Sequence, residues 1–517
     1  MKTKKVANSD ANSKPEPFSG NSQITTIPDQ PVITALLTND ATAFEALIQL
    51  WREQEACHGT MLKCKGAEVD KVNPIGLAAF LAKATGIVFE PQEKTLWLKD
   101  SPRALWCLLD EDELATRLLE ALTTFIRKAF CKSFEFVAKQ SLANEIVRRL
   151  KHFAARPGFF DTPPGTFILH CLNCFLVYNA EAERFEKRPL ADESIHSRHQ
   201  LPVIFDPAAT CPRFEEELLV PITTEDERRV LYEYIGQIFL GKNLSQKVLF
   251  FTGAAGGGKS TLVNIIEMLL GRENVAELRT NALHGWYETH RYLGKSLLVG
   301  KDVPADFMRH HGASKIKALT GNDLVSTEKK HSNEVSTFAG TLNVIITSNC
   351  NQPIMLQDDR DAWERRILSI KCKAPETPVK PIRDFDKIIV DSEASGILNL
   401  ALAGLTRIIR AGGTIEASEE QRREIADLLD ESEGVPVFLK EKVELGDRDQ
   451  NLTSWELYVA YKKYCKSRGW TPKSQSIVQK ELPDAMGEVF SSPRRSDIMR
   501  DGTAHRGYWG VRFKHES

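Results

Sequence analysis

The chain has 517 residues, 42% of them hydrophobic and 27% charged, which is typical of a globular protein with more than one domain. Its formal net charge of −2 excludes a protein that is basic throughout, so a surface for nucleic acid would have to be local. No apolar run reaches the roughly 18 residues that a membrane-spanning helix needs, and we expect no membrane partner. The polar N-terminus lacks a signal-peptide core and the ten cysteines are too sparse for a disulfide framework, which predicts a cytoplasmic protein.

The chain changes character at about its midpoint. Residues 1–30 are polar and predict a disordered tail. Between residues 31 and 212, apolar side chains recur mostly at helical spacing, with a small β part near Phe167–Val177. From Val248 to Ile370, short apolar strands alternate with helical segments, which predicts a mostly parallel sheet covered by helices.

A glycine-rich loop follows the first strand of this second region. The apolar strand Val248–Phe251 leads into the spacing G-x-x-x-x-G-K-S, and the helix that comes next ends at Gly271. Glycines let successive backbone N–H groups turn towards phosphate oxygens, while Lys259 reaches the β- and γ-phosphates and the Ser260 hydroxyl binds Mg²⁺. The sequence therefore predicts a site for ATP and Mg²⁺ formed by Gly253, Ala254, Ala255, Gly256, Gly257, Gly258, Lys259, Ser260 and Thr261.

Two further strands end in residues suited to ATP hydrolysis. An apolar strand delivers the carboxylate of Asp302, which would hold Mg²⁺ together with Ser260 and polarise the attacking water. The strand that begins at Leu342 ends at Asn349, whose amide would sense the γ-phosphate and orient water. Each residue also has a plainer interpretation, because Asp often only opens a turn and Asn at a strand end is usually a turn residue.

Two charged segments lie among these strands. Two short strands are predicted around a charged tip at Lys329, Lys330 and His331. Arg365 and Arg366 come directly before the fourth apolar strand, where a guanidinium would stabilise charge developing on a neighbouring subunit's ATP. Without further context, a solvated run of charges is the simpler interpretation of either segment.

The order of these motifs resembles that of superfamily 3 helicases, most closely the phage and plasmid primase–helicase and poxvirus-type group. The resemblance is strong from Val248 to Lys373, where the Walker A loop, a single-acid strand, K-x-L-T-G-x-D, a charged hairpin, a strand ending in Asn and an Arg-Arg pair follow one another. It implies an AAA+-like P-loop core that forms a homo-hexameric ring, with ATP bound between subunits and single-stranded DNA in the channel.

The resemblance also assigns roles to individual residues. It implies that DNA is gripped by Lys330 and His331, beside Lys329, and that the γ-phosphate sensor is Asn349. It makes Arg366 the arginine finger and Arg365 the second candidate. One departure leaves the catalytic base open, because family members often carry a second acid beside the one that corresponds to Asp302, whereas here Lys301 precedes it and Val303 follows.

The end of the chain is locally basic. Residues 451–517 contain twelve Lys/Arg and seven Asp/Glu, and a helix near Trp455 bears Lys462, Lys463 and Lys466 on its polar face. This segment is similar to the winged-helix domain that ends many relatives of the group, which implies contact with duplex DNA at an origin through its second helix and wing. The alternative is a structural cap with a solvated basic face.

Together these features predict an α/β protein with a P-loop, AAA+-like ATPase core, a mostly helical N-terminal domain and a small α+β, winged-helix-like C-terminal domain. The predicted boundaries are a tail at 1–30, an N-terminal region at 31–212, an ATPase domain with helical-bundle elements at 213–430, and a module at 436–517. The short segment Glu431–Pro436 between the last two is predicted to be a linker.

The function expected from this organisation is ATP-dependent, 3′–5′ DNA unwinding. The protein would initiate or drive replication of a phage, plasmid or phage-satellite element in the cytoplasm of a bacterial host, and a separate primase or another replisome protein would be a further partner. One alternative is a DNA-binding replication initiator or loader whose ATPase does not unwind processively. Another is an ATPase with a non-replicative role whose partner is a protein.

Overall fold

A computed structural model describes most of the chain after the predicted tail. The described residues are 40–135, 137–253, 256–280, 282–283, 285, 287–304, 307–309, 312–328, 335–354, 356, 359–373, 382–491 and 495–514. The chain divides into two compact units, of which the first runs up to Val88 and includes residues 96–100 and 107–154. The second unit comprises residues 89–95, 101–106 and 155–517. The predicted domain boundaries stay predictions.

The region before residue 155 is built largely from helices. They are α1 (Ala41–His58), α2 (Pro74–Thr85), α3 (Glu111–Phe130) and α4 (Gln140–Ala154), and the strands are β1 (Leu62–Lys65), β2 (Glu68–Val72), β3 (Val88–Glu90), β4 (Thr95–Asp100) and β5 (Leu105–Leu109). Trp51 on α1 packs edge-on against Phe80 of α2, with ring centroids 5.1 Å apart, and Phe125 of α3 lies 5.4 Å from Phe80. This aromatic cluster explains why the helices form one core.

The long middle part of the second unit contains the predicted sheet. The strands of this middle part, not all of which belong to that sheet, are β6 (Ile168–His170), β7 (Phe175–Asn179), β8 (Arg184–Arg188), β9 (Val248–Gly253), β10 (Val275–Glu277), β11 (Leu297–Gly300), β12 (Leu324–Glu328), β13 (Val335–Ala339), β14 (Asn343–Thr347) and β15 (Ile367–Cys372). Its helices are α5 (Glu225–Leu240), α6 (Lys259–Leu270), α7 (Gly312–Thr320), α8 (Arg360–Arg366), α9 (Phe385–Arg410) and α10 (Glu419–Glu433).

Five of these strands form one parallel sheet in the order β10–β11–β14–β9–β15. Side chains alternate along β9, so that Leu249 and Phe251 enter one apolar core while Val248 and Phe250 enter the other. Helices α5, α6 and α9 contribute to the first core, and α7, α8 and α10 contribute to the second. The prediction of a mostly parallel sheet covered by helices is therefore confirmed.

Helix α9 crosses α5 with glycines at the contact. A Cβ at Gly404 would lie 2.4 Å from the carbonyl oxygen of Tyr232, and a Cβ at Gly236 would lie 2.4 Å from that of Ala401. By length and composition alone α9 could cross a membrane, but Ile397, Leu405 and other apolar residues of the helix lie in the core beside the sheet. Its apolar character is thus explained by burial against α5.

The C-terminal part of the chain forms a small α+β module with its own apolar core. Its helices are α11 (Val435–Lys442), α12 (Ser454–Arg468) and α13 (Gln475–Phe490), and its strands are β16 (Val443–Leu445), β17 (Asn451–Thr453), β18 (Arg495–Arg500), β19 (Thr503–Trp509) and β20 (Val511–Phe513). Strands β17, β19 and β18 form an antiparallel sheet, and β16 pairs with β20.

The structure corrects the predicted linker between the ATPase region and this module. Helix α10 continues to Glu433 and α11 begins at Val435, so only Gly434 separates the two helices. Gly434 has a positive φ of 63°, which a residue with a Cβ adopts at a cost, and Pro436 lies at the start of α11. The glycine and proline that suggested a loop instead mark the end of one helix and the start of the next.

The glycine contact between α5 and α9 predicts a large loss of stability for Gly404→Val. The added side chain would meet the backbone of Tyr232, and we expect the free energy of unfolding to fall by about 3 kcal/mol. Ala403→Val is the matched control, because Ala403 is exposed on the same helix and should lose less than about 1 kcal/mol through helix propensity. Urea unfolding followed by circular dichroism would contradict the close contact if both variants unfolded alike.

Candidate functional site

Three of the glycines of the loop after β9 have left-handed backbone angles. Gly253, Gly256 and Gly258 all have positive φ, at 123°, 81° and 70°. A Cβ at Gly253 would lie 2.2 Å from the carbonyl oxygen of Cys372 on β15, so the neighbouring strand also excludes a side chain there. Burial raises the pKa of the Cys372 thiol to about 12, which keeps it neutral beside the loop. The predicted residues Ala254 and Ala255 lie outside the described residues.

Helix α6 starts directly at the lysine of the motif. Gly258 is its N-cap residue and contributes no side-chain hydrogen bond to the first turn. Lys259 is only 6% exposed, and its Nζ donates to the Gly253 carbonyl at 2.7 Å and to Asn349 Oδ1 at 3.1 Å. Ser260 in the same turn is exposed. The helix N-terminus and the lysine can therefore hold an anionic ligand such as a phosphate.

The contact between Lys259 and Asn349 follows from the order of the strands. β14 lies next to β9 and parallel to it, so both strands end at the same edge of the sheet, which we call the carboxyl edge. The backbone N–H of Ser348 donates to the Phe251 carbonyl at 3.2 Å, which extends the pairing past the last residue of β14. Asn349 follows immediately and is exposed at this edge.

Asp302 follows β11, the other neighbour of β14, and the end of β14 holds it at the same edge. The backbone N–H of Asp302 donates to Thr347 Oγ1 at 3.1 Å, and that of Val303 donates to the Thr347 carbonyl at 2.9 Å. Asp302 is exposed and has a positive φ of 48°. The strand order thus places the ends of β9, β14 and β11 side by side, and with them Lys259, Asn349 and Asp302.

Lys301, which stands where the family resemblance leads one to expect a second acid, binds the helix of the loop instead. Its Nζ donates to Asn264 Oδ1 at 3.0 Å and to Glu267 Oε2 at 2.9 Å, both on α6. A cavity of about 830 Å³ lies beside these residues and is lined by Glu267, Lys301 and Arg279, among others. The cavity adjoins the Asp302 loop and β10, and the described glycines of the loop after β9 do not line it.

The two arginines lie at the opposite edge of the sheet. β15 is parallel to β9 and Ile367 pairs with Val248, so Arg365 and Arg366 precede the strand at its amino end. The length of β9, roughly 17 Å at about 3.3 Å per residue, separates that end from Gly253. Arg365 is exposed, whereas Arg366 is half-buried and donates to the Ala362 carbonyl at 3.2 Å. Neither arginine therefore lies beside the glycine-rich loop of its own chain.

The surroundings of Arg366 leave part of its guanidinium without a partner. Its Nε is buried and has no hydrogen-bond partner in the part of the chain that the structure describes. The start of α8 is fixed by a hydrogen bond from Lys317 on α7 to Asp359, which holds the pKa of that carboxyl below its usual range. The K-x-L-T-G-x-D segment is thus in contact with the start of the helix that carries the arginine pair, although the two motifs are separate in the sequence.

The predicted charged hairpin is present as far as the structure describes it. β12 and β13 pair antiparallel, with Glu328 opposite Val335 at the tip end. Lys329, Lys330 and His331 lie outside the described residues, so their predicted role stays a prediction.

The loop after Asn349 is bound to the helix that leads into the C-terminal module. Glu431 on α10 is 3% exposed, and its carboxylate accepts hydrogen bonds from Asn351 Nδ2 at 3.1 Å and from the Thr471 backbone N–H at 3.0 Å. Thr471 belongs to the segment between α12 and α13. Arg360, the first residue of α8, donates to two other carboxylates of α10, Asp430 at 2.8 Å and Glu433 at 3.0 Å.

Comparison with known proteins gives a family and a set of similar structures. Residues 251–366 match a family described as a family of unknown function, DUF5906. The search of curated proteins finds no match. Among solved structures the chain is similar to the apo structure of the NrS-1 C-terminal region, with a TM-score of 0.45 and 13% identity over 85% of this chain and 100% of that one. The A form of the same region gives a TM-score of 0.44 with the same identity and coverage.

Sequence reasoning found the residues at the strand ends but missed those that hold them. Thr347 and Ser348 directly precede Asn349, and two hydroxyl residues at the end of an apolar strand were a signal for polar contacts there. Glu431 gave no such signal, because it lies in a short polar segment that is typical of a loop. Its partners are 80 and 40 residues away along the chain.

The position of Glu431 predicts that Glu431→Ala destabilises the protein. Two donors would lose their acceptor inside the structure, and we expect the free energy of unfolding to fall by about 2 kcal/mol. Glu419→Ala is the matched control on the same helix, because Glu419 forms an exposed ion pair with Arg423 and should contribute less than about 1 kcal/mol. Equal urea midpoints for the two variants would contradict a structural role for the buried carboxylate.

Proposed function

We propose that this protein is an ATP-dependent DNA helicase with a P-loop, AAA+-like core related to superfamily 3. The observation that carries the proposal is the 3.1 Å contact between Lys259 Nζ and Asn349 Oδ1. It brings together the lysine of a complete Walker A spacing and an amide at the end of the adjacent strand, the two groups that must act on one γ-phosphate. A glycine-rich turn without function does not account for a lysine that reaches across to the next strand.

The residues at the carboxyl edge fit a nucleotide and its metal. The first turn of α6 has no side-chain cap, and a Cβ at Gly256 would meet open space, so backbone N–H groups are available to phosphate oxygens. Lys259 would exchange its contacts with Gly253 and Asn349 for contacts with the β- and γ-phosphates. Ser260 and Asp302, both exposed, would hold Mg²⁺, which neutralises charge that develops during phosphoryl transfer. Asn349 would orient the attacking water.

The position of the arginines supports a ring in which subunits share ATP sites. Arg365 and Arg366 precede β15 at the edge away from their own P-loop, and the partly unpaired guanidinium of Arg366 is suited to a neighbouring subunit. A head-to-tail interface with the P-loop on one side and an arginine on the other closes into a ring when its rotation permits. We infer a homo-hexamer with Arg366 as the finger and Arg365 as the second candidate.

In the proposed motor, the charged hairpin binds the DNA that passes through the ring channel. Lys330 and His331, beside Lys329, would grip single-stranded DNA and move it in the 3′–5′ sense as the ATP state changes. The protein would thereby initiate or drive replication of a phage, plasmid or phage-satellite element in the cytoplasm of a bacterial host. A separate primase or another replisome protein would act with it.

Shared sites predict a specific pattern of inactivation and rescue. Lys259→Ala should lower ATP hydrolysis about 100-fold by removing the phosphate contact, and Arg366→Ala should lower it about 1000-fold while nucleotide binding is retained. Mixing the two variants should restore part of the turnover, because some interfaces then combine an intact lysine with an intact arginine. A phosphate-release assay that shows no recovery at any mixing ratio would contradict the shared site.

Unwinding is tested with a fork that carries a 3′ tail. Wild-type protein with ATP should displace the strand, and Lys330→Ala/His331→Ala should hydrolyse ATP without displacing it, because the hairpin couples hydrolysis to DNA. Lys259→Ala is the control without hydrolysis. If the wild type hydrolyses ATP in response to DNA yet never separates the strands, the protein is an initiator or loader. ATP hydrolysis that is indifferent to DNA would favour a protein partner.

A further inference from the structure

The C-terminal module exposes an aromatic and basic helix face. On α12, the residues that point away from the module's core include Trp455, which is 54% exposed, and Val459, which is 43% exposed. Lys462, Lys463 and Lys466 are exposed on the same face, opposite the buried Leu457 and other core residues. We call Trp455, Val459, Lys462, Lys463 and Lys466 the α12 face.

Among the residues that the structure describes, none neutralises the charges of the α12 face. Its three lysines form no ion pair with any described residue. Arg468, on another side of the helix, pairs with Glu441. Helix α13 has the opposite balance, with Lys480 against Glu481, Asp484 and Glu488. Helix α13, which follows α12 and to which the resemblance assigns the contact with duplex DNA, is therefore net acidic, whereas α12 carries four basic residues and one acidic residue.

The half-buried Tyr458 borders the α12 face and contacts two of its residues, Trp455 and Lys462. The rings of Trp455 and Tyr458 have centroids 5.9 Å apart, and Lys462 Nζ lies 5.8 Å from the centroid of Tyr458. Tryptophan is highly buried on average, whereas the indole of Trp455 is 54% exposed and lies on the same helix face as three exposed lysines. Positive charge next to an exposed aromatic ring is the combination with which proteins bind unpaired bases and their phosphates.

We propose that the α12 face is a binding site for single-stranded DNA, with a base stacked on Trp455 and phosphates on Lys462 and Lys466. The proposal rests on the proposed function for the choice of DNA and adds a second contact outside the ring channel. From Trp455 to Lys466 the helix spans roughly 16 Å, room for a short run of nucleotides. A duplex would offer phosphates to the lysines but no free base to the indole, and a protein partner would leave three lysines needing acidic groups.

The first test is DNA binding by the full-length protein without nucleotide. Fluorescence anisotropy with a labelled oligo-dT strand should show about ten-fold weaker binding for Trp455→Ala, and Trp455→Phe should restore most of the loss. Lys462→Ala/Lys466→Ala should lower the slope of log affinity against log salt by about 0.7 for each lost phosphate contact. Binding of a duplex of equal length should respond to the lysine variants but hardly to Trp455→Ala.

A matched control and a direct readout separate this site from the channel. Lys480→Ala/Ile477→Ala changes an exposed lysine and an exposed apolar residue on α13, and it should leave DNA binding unchanged. Photocrosslinking with iodouracil-substituted DNA should label a peptide from residues 454–468. If Trp455→Ala binds the strand like the wild type and no crosslink falls on this peptide, the proposal is wrong and a protein partner becomes the better occupant.

The outcome is separable from that of the proposed function. ATP hydrolysis measured without DNA depends on the carboxyl edge of the sheet and should be the same in Trp455→Ala as in the wild type. A chain that binds the strand through α12 but hydrolyses no ATP would refute the motor and leave the α12 face standing. If the protein hydrolyses ATP and the α12 variants bind the strand like the wild type, the α12 face is refuted and the proposed motor stands.

Discussion

The candidate site depends on the insertion of β14 between β9 and β11. Because the strands are parallel, this one placement brings a lysine, an amide and a carboxylate from three distant segments to a common edge. The backbone of Thr347 and Ser348 then ties the three strand ends together through hydrogen bonds. With another order of strands the same side chains would lie at separate turns. Asp302 and Asn349 would then need no explanation beyond that of ordinary turn residues.

The sequence was enough to predict the elements whose residues lie next to one another in the chain. The apolar run of β9, the glycines after it and the buried face of α6 lie within one continuous segment, so spacing and composition define strand, loop and helix together. The hairpin β1–β2 was missed because Lys63, Lys65, Glu68 and Asp70 hide its alternation, and only Gly66 at its turn gave a signal. Exposed strands with charged residues have no apolar pattern to detect.

Pairings between distant segments could not be predicted in the same way. Nothing near Glu431 in the sequence distinguishes a carboxylate that binds two loops from one that is solvated, and its segment has the polar residues and glycine of a loop. The position of Arg366 at the edge away from the glycine-rich loop of its own chain also needed the strand register, since the sequence gives only the order of motifs. In both cases the decisive fact is which strands or helices are neighbours.

The single residue between α10 and α11 has a mechanical consequence. A flexible linker would let the C-terminal module tumble independently, and any ligand bound to it would be presented to the rest of the protein in all orientations. Here Gly434 joins α10 and α11 directly. Near this junction, the carboxylate of Glu431 accepts a hydrogen bond from Asn351 in the loop that follows Asn349. The C-terminal module is therefore attached through a one-residue junction that a hydrogen bond to the buried Glu431 holds to the loop after β14, which restricts its orientation far more than a flexible linker would.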